Sequence, residues 1–218
     1  MKKSATEVAI HTIGLDIAKN SFSLHGFDCE GRTVLTRDLK RGQVLAFFSK
    51  LPPARVGLEA CASAHYWARE IVKLGHEVKL IPAQRVKAFL PRMKNDAADA
   101  KAIARAVRDP EMRFVGVKTV DQQSLLMLFK ARDLLTAQRT QLINALRGHF
   151  GEIGSVVPKG AHEAKLLVKR VMTDDSLPAV MAQALRPLAN SLIALEGEIK
   201  ALNVILLGQH RASETSMR

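Results

Sequence analysis

Apolar residues in the first half of the chain recur mostly at the spacing of strands. His11 to Asp16 is a short apolar run ending on an acid, and Ser21 to Phe27 alternates with period two. Asp28-Cys29-Glu30-Gly31 supplies turn chemistry, and Thr33 to Thr36 resumes the strand pattern. Together these segments predict an antiparallel meander. Gly42 to Leu51 reads as a helix stopped by Pro52-Pro53. Arg55 to Glu59 predicts a short buried strand, Ala64 to Leu74 an amphipathic helix closed by Gly75, and Glu77 to Ile81 a further strand ending at Pro82. Ala83 to Leu90 and, more strongly, Asp96 to Val107 predict helices. Three strands followed by alternating helix and strand define an α/β unit, a mixed sheet flanked by helices.

The second half changes period. Val120 to Gly148 is helical with few breakers, Gly148 to Gly160 is a glycine-rich break containing Pro158, and Ala161 to Met172 and Leu177 to Leu207 predict two further helices. Long helices with leucine at three-four spacing and no strands between them predict an antiparallel helical hairpin or coiled coil. Such an element serves dimerisation more often than chemistry. The expected organisation is therefore an α/β domain over residues 8–112 and an all-α region over 118–210.

Composition narrows the class. Hydrophobic residues make up 47% of 218, enough for a core, and no run is long and apolar enough for a membrane span. The short polar N-terminus lacks the apolar segment of a secretion signal, and Cys29 and Cys61 stand far apart with no metal-ligand spacing. A cytoplasmic protein with reduced thiols is expected. Lys and Arg number 33 against 21 Asp and Glu, a net charge of +12 spread over both halves, which favours polyanions, chiefly nucleic acid.

Four acids stand where chemistry could use them. Asp16 closes Ile13-Gly14-Leu15-Asp16 and Glu59 closes Val56-Gly57-Leu58-Glu59. A carboxylate at the end of an apolar strand is costly unless paired or bound to a cation. Alone, each is as readily explained as a cap on the following segment. Asp96 and Asp99, three apart on a predicted helix, project from one face, although acids in a first turn also complement the helix dipole. Taken together, two strand-end acids and an i, i+3 pair could hold two hard divalent cations of the kind used in phosphodiester chemistry.

The order D…E…D-x-x-D, together with Ile13 to Lys19, Leu58-Glu59-Ala60, Tyr66-Trp67, Gly75 to Val78, Gln84 to Phe89 and Lys94 to Ala100, resembles the DEDD transposases of the insertion-sequence family numbered 110, which includes Piv-type invertases. The resemblance covers roughly residues 10 to 110, with the helices behind similar to the family's coiled-coil region. It implies a ribonuclease-H-like fold similar to Holliday-junction resolvases. Asp16, Glu59, Asp96 and Asp99 would be the catalytic, metal-binding acids for two Mg²⁺ (or Mn²⁺) ions. Lys19, Arg85, Lys87 and Lys94 are the expected nucleic-acid contacts. DNA is the implied substrate, a structured guide RNA an implied partner, and a homo-oligomer through the helical region the expected assembly, at the bacterial nucleoid when DNA-bound. The family's serine-bearing C-terminal domain has no counterpart before Arg218, and Ser213 and Ser216 lie in a polar tail. The chain is thus expected to fold and bind nucleic acid without recombining DNA unaided.

Two other readings compete. Sugar kinases and actin-like ATPases also open with an apolar strand, an Asp and a hairpin, but the glycine-rich phosphate loops they require are missing from this sequence. A catalytically inert nucleic-acid-binding remnant or assembly module would share the basic charge and differ in having no metal response.

Overall fold

The computed structural model describes residues 9–89 and 96–212; Lys94, Asn95, Ser213 and Ser216 lie outside them. The chain divides into two compact units, Met1–Thr119 and Val120–Arg218.

The first unit is built on a five-stranded sheet among the described residues. Its strands are β1 (Thr12–Ile17), β2 (Ser21–Phe27), β3 (Thr33–Lys40), β4 (Arg55–Glu59) and β5 (Glu77–Ile81), in the order β3-β2-β1-β4-β5. The β1-β2 and β2-β3 pairs are antiparallel, as the meander predicts, whereas β4 and β5 run parallel to β1. This is the mixed sheet of a ribonuclease-H-like α/β fold. The helices are α1 (Val44–Phe48), α2 (Ala64–Lys73), α3 (Ala83–Val86) and α4 (Asp96–Ala106).

Strand alternation sorts side chains between the two faces of the sheet. Ile13, Leu15, Leu24, Val56, Leu58 and Leu80 pack on one face with Val44 and Phe48 of α1 and Trp67, Ala68 and Ile71 of α2. Trp67 lies edge-on to Phe22 with ring centroids 4.8 Å apart, so it is a core residue. The opposite face receives α4, which packs on β1, β2 and β4. There Ile81 meets Val86, Ile103 and Val107.

The second unit contains α5 (Val120–Glu152), α6 (Ala161–Thr173) and α7 (Ala179–Ala212). Arg132 Nε donates to Asn203 Oδ1 at 2.7 Å, while Leu146 and Phe150 cluster with Leu185, Ala189 and Leu192. As the α5 partner advances the α7 partner retreats, so the two helices are an antiparallel hairpin about 50 Å long. α6 closes one end through Leu167 and Val171. No described helix is long and apolar enough to cross a membrane.

Several predicted boundaries move. α5 continues through Gly148 and Gly151, because Leu146 and Phe150 are fully buried and their packing outweighs a helix-propensity cost of about 1 kcal/mol per glycine. The Gly42–Leu51 segment is a 3₁₀ turn plus five residues of α1, and Ala83–Leu90 divides into α3 and a 3₁₀ turn at Lys87–Phe89. β3 extends to Lys40 as an edge strand whose Arg37, Asp38 and Lys40 are exposed.

Candidate metal centre and nucleic-acid face

The acids are placed by register. Leu15 pairs with Leu58 across the parallel β1-β4 ladder, so Asp16 and Glu59, each one residue further on, end adjacent strands at the same sheet edge. Both are half-buried. Alternation also fixes their face. Gly14 and Asp16 share one side of β1, Gly57 and Glu59 the matching side of β4, and that side carries α4.

Two glycines let the helix approach. A Cβ at Gly14 would collide with the Ala100 carbonyl oxygen and the Ala104 backbone nitrogen, and one at Gly57 would stand 3.0 Å from Val107 Cβ. Further along, Arg108 meets Gly31 in the β2-β3 turn, beyond the opposite end of β1. α4 therefore runs antiparallel to β1, and its first turn, opened by Asp96, lies toward the edge that ends in Asp16 and Glu59. Asp99, in that turn, is half-buried, and its Oδ1 is buried with no hydrogen-bond partner among the described residues.

An unsatisfied buried carboxylate oxygen ordinarily costs 1 to 3 kcal/mol or more, and a hard cation removes that cost. The donor set, carboxylates without thiol or imidazole, suits Mg²⁺ or Mn²⁺ rather than zinc. Against this, no group of three His, Cys, Asp or Glu side chains among the described residues is gathered closely enough to hold a metal. Asp96 enters only through its place at the start of α4. What matches such an ion is the carboxylate chemistry and the sheet edge that Asp16 and Glu59 share.

Of the expected nucleic-acid contacts, Lys19 is exposed in the β1-β2 connection, immediately past the acid edge. Arg85 and Lys87 are exposed just after β5, whose Ile81 pairs with Glu59. All three therefore follow strands that end at, or next to, the acids. Lys94 is outside the described residues.

Sequence reasoning missed the remainder of this face. Asp16 pairs with Ser23, whose hydroxyl donates to Asp38 Oδ1 at 2.6 Å, so a further acid lies in register two strands from Asp16. Gly14 pairs with His25, a buried imidazole hydrogen-bonded to Thr33 and Thr36 hydroxyls at 3.1 and 3.3 Å. Burial, then the positive charges of Lys101 and Arg105, hold the His25 pKa below 6.5. The alternation of β2 signalled that Ser23, His25 and Phe27 share a face; only the register with β1 shows that it is the acids' face. Two further histidines are structural: His76 accepts from the Ala54 amide and contacts the Phe48 carbonyl, and His65 accepts from the Lys118 amide.

A β3-β2-β1-β4-β5 sheet with acids at the ends of its central parallel strands defines a ribonuclease-H-like α/β domain, here joined to a helical extension. The chain belongs to the IS110 DEDD transposase family, whose model, described as a transposase, matches residues 13–154. It is 44% identical to "Putative transposase y4pF/y4sB" of Sinorhizobium fredii over 214 residues, covering 94% of this chain and 53% of that one. It is 45% identical to "Probable family 20 transposase" of Pseudomonas aeruginosa over 193 residues, 87% of this chain and 57% of that one. It is 36% identical to "Transposase for insertion sequence element IS1328" of Yersinia enterocolitica over 206 residues, 94% and 61% respectively. The chain thus spans about half to three-fifths of the length of these relatives.

Proposed function

We propose that this chain is the carboxylate-bearing part of a DNA transposase that cuts and exchanges phosphodiester strands in the movement of an insertion sequence. The observation that carries this reading is the shared edge: Asp16 and Glu59 end neighbouring parallel strands, and α4 brings Asp99, with an unpartnered buried oxygen, toward the same end. Asp16, Glu59, Asp96 and Asp99 would hold two divalent cations, which when bound supply an activated hydroxyl and stabilise a leaving oxygen. The chain's own contribution is rigidity. Gly14 and Gly57 let α4 lie close on the sheet, so three elements fix the carboxylates without depending on a loop.

Lys19, Arg85 and Lys87 would contact backbone phosphates beside the acids, with the net charge of +12 drawing in the polyanion. A structured RNA that pairs with the DNA is a further proposed partner. Assembly into a homo-oligomer is proposed through the hairpin, where Leu125, Leu126, Met127 and Phe129 of α5 and Val204, Ile205 and Leu207 of α7 are exposed.

Gel-shift binding to duplex DNA and to structured RNA, with Mg²⁺ or EDTA and at two salt concentrations, tests the reading. The expected result is binding that survives physiological salt and that Mg²⁺ strengthens in the wild type but not in Asp16→Asn/Asp99→Asn. Binding indifferent both to Mg²⁺ and to the substitutions would leave an inert nucleic-acid-binding module and overturn the metal-centred proposal.

A further inference from the structure

The face of α4 that looks toward the β2-β3 hairpin carries a second feature. Lys101, Arg105 and Arg108 follow one another at i, i+4 and i+7, so they form one stripe along the helix and its C-terminal end. With Phe27, Gly31 and Thr33 they line a cavity of about 270 Å³. Between these cations α4 packs on the sheet, with Ala100, Ala102, Ile103, Ala104 and Ala106 buried.

The stripe is uncompensated. Among the described residues no carboxylate lies within ion-pair distance of Lys101, Arg105 or Arg108. Two acids do sit in the adjacent turn, but Arg32 takes both, at 2.8 Å to Asp28 and 2.9 Å to Glu30. Asp28 is buried and also accepts from the Arg32 amide at 2.9 Å. Three cations gathered on one stripe repel one another and have no carboxylate partner among the described residues, which is the arrangement of a surface completed by an anion.

The site is also shaped. Arg108 is steadied by the Cys29 carbonyl at 3.4 Å and by the Phe27 ring, 5.6 Å from its guanidinium. Gly31, at φ +89°, makes room for it, since a Cβ there would stand 2.8 Å from Arg108 Nη1. The guanidinium's five N–H groups leave donors for a phosphate oxygen. Thr33 adds a hydroxyl, and His25 lies directly beneath it.

We propose that Lys101, Arg105 and Arg108, with the β2-β3 hairpin, form a seat for the phosphodiester backbone of a nucleic acid that extends away from the acid edge. This deepens the proposed function and rests on it. At 1.5 Å rise per residue, Arg105 and Arg108 lie about 9 and 14 Å along α4 from Asp99. Backbone phosphates advance about 3.4 Å per nucleotide along a duplex, so the seat grips the strand about three to four nucleotides from the proposed cleavage centre. Its role is to set the strand's register and direction.

The test compares wild type, Lys101→Gln/Arg105→Gln and a control, Lys50→Gln/Lys73→Gln, in which two exposed cations elsewhere on the first unit are removed. Affinity for a duplex DNA and for a structured RNA is measured against salt. Loss of two phosphate contacts makes the slope of log K against log salt shallower by about 2 and lowers affinity about 10-fold or more at low salt. The control changes the slope far less, and the Mg²⁺-dependent rise in melting temperature stays as in the wild type. A slope effect confined to DNA or to RNA identifies which strand occupies the seat. Unchanged slopes in the double variant overturn the seat while leaving the proposed function standing. Absence of any nucleic-acid binding by the wild type overturns both.

Discussion

The two faces of the one sheet are made from the same strands and have opposite characters. Toward α1 and α2, alternate residues are mostly large apolar side chains, and Phe22, Phe48 and Trp67 close the layer. Toward α4 the same strands contribute Gly14, Asp16, Ser23, His25, Gly57 and Glu59. The first face stabilises by burying area. The second gives up that burial so that a helix can approach the backbone and hold acids at the sheet edge. A fold of this kind can separate stability from chemistry because strand alternation gives each residue to one face only.

Substitutions on each face separate the two roles. Trp67→Ala removes a large side chain from the apolar face and should cost about 3–5 kcal/mol in denaturant unfolding. Trp67→Phe should cost much less, because Trp67 Nε1 is already buried with no partner among the described residues. Neither change should weaken the Mg²⁺ response of whatever fraction remains folded.

On the other face the most damaging single methyl group is at Gly14. Gly14→Ala drives Cβ into the backbone of α4 and should cost about 3 kcal/mol, displacing the first turn that carries Asp99 and so the Mg²⁺ response as well. Gly57→Ala meets only side chains, Val107 Cβ at 3.0 Å and Ile103 Cγ2 at 3.2 Å, and should cost about 1 kcal/mol. Equal effects at the two glycines, read by urea midpoint, would contradict the backbone-to-backbone approach of α4.

The smallest effect is on pH. His25 and His65 are both held below their ordinary value of 6.5, each chiefly by burial and then by neighbouring cations. Acidification therefore protonates the unfolded chain first, so stability falls as pH drops through and below 6.5, and it is unaffected by these groups above it. His25→Gln should flatten that decline in thermal melts between pH 7 and 5. A second decline near pH 4 belongs to Asp28 and Glu77, whose pKa values are lowered by hydrogen bonds from Arg32 and from Arg55 and Lys79.

Much of this architecture is legible in the chain. Period-two alternation locates β2, short strand-like runs locate β1, β4 and β5, and an acid at the end of an apolar run marks Asp16 and Glu59, because such a group is costly without a purpose. What cannot be read is set by pairing. The adjacency of Asp16 and Glu59 depends on β4 lying beside β1, and the role of His25 depends on its register with Gly14. Gly14 itself looks like an ordinary strand glycine until Ala100 is seen against it. The helical end points also elude local reading, since Gly148 and Gly151 are breakers that the packing of Leu146 and Phe150 overrides.

If Asp16, Glu59, Asp96 and Asp99 share divalent cations, melting with and without Mg²⁺ will report it. At a Mg²⁺ concentration 100-fold above its Kd, mass action contributes about 2.7 kcal/mol, which should raise the melting temperature of the wild type by several degrees. Asp16→Asn/Asp99→Asn should show no rise, while near-ultraviolet dichroism of Trp67, the one tryptophan, confirms that the apolar face remains intact. An equal rise in both proteins would mean that these carboxylates do not hold the ion.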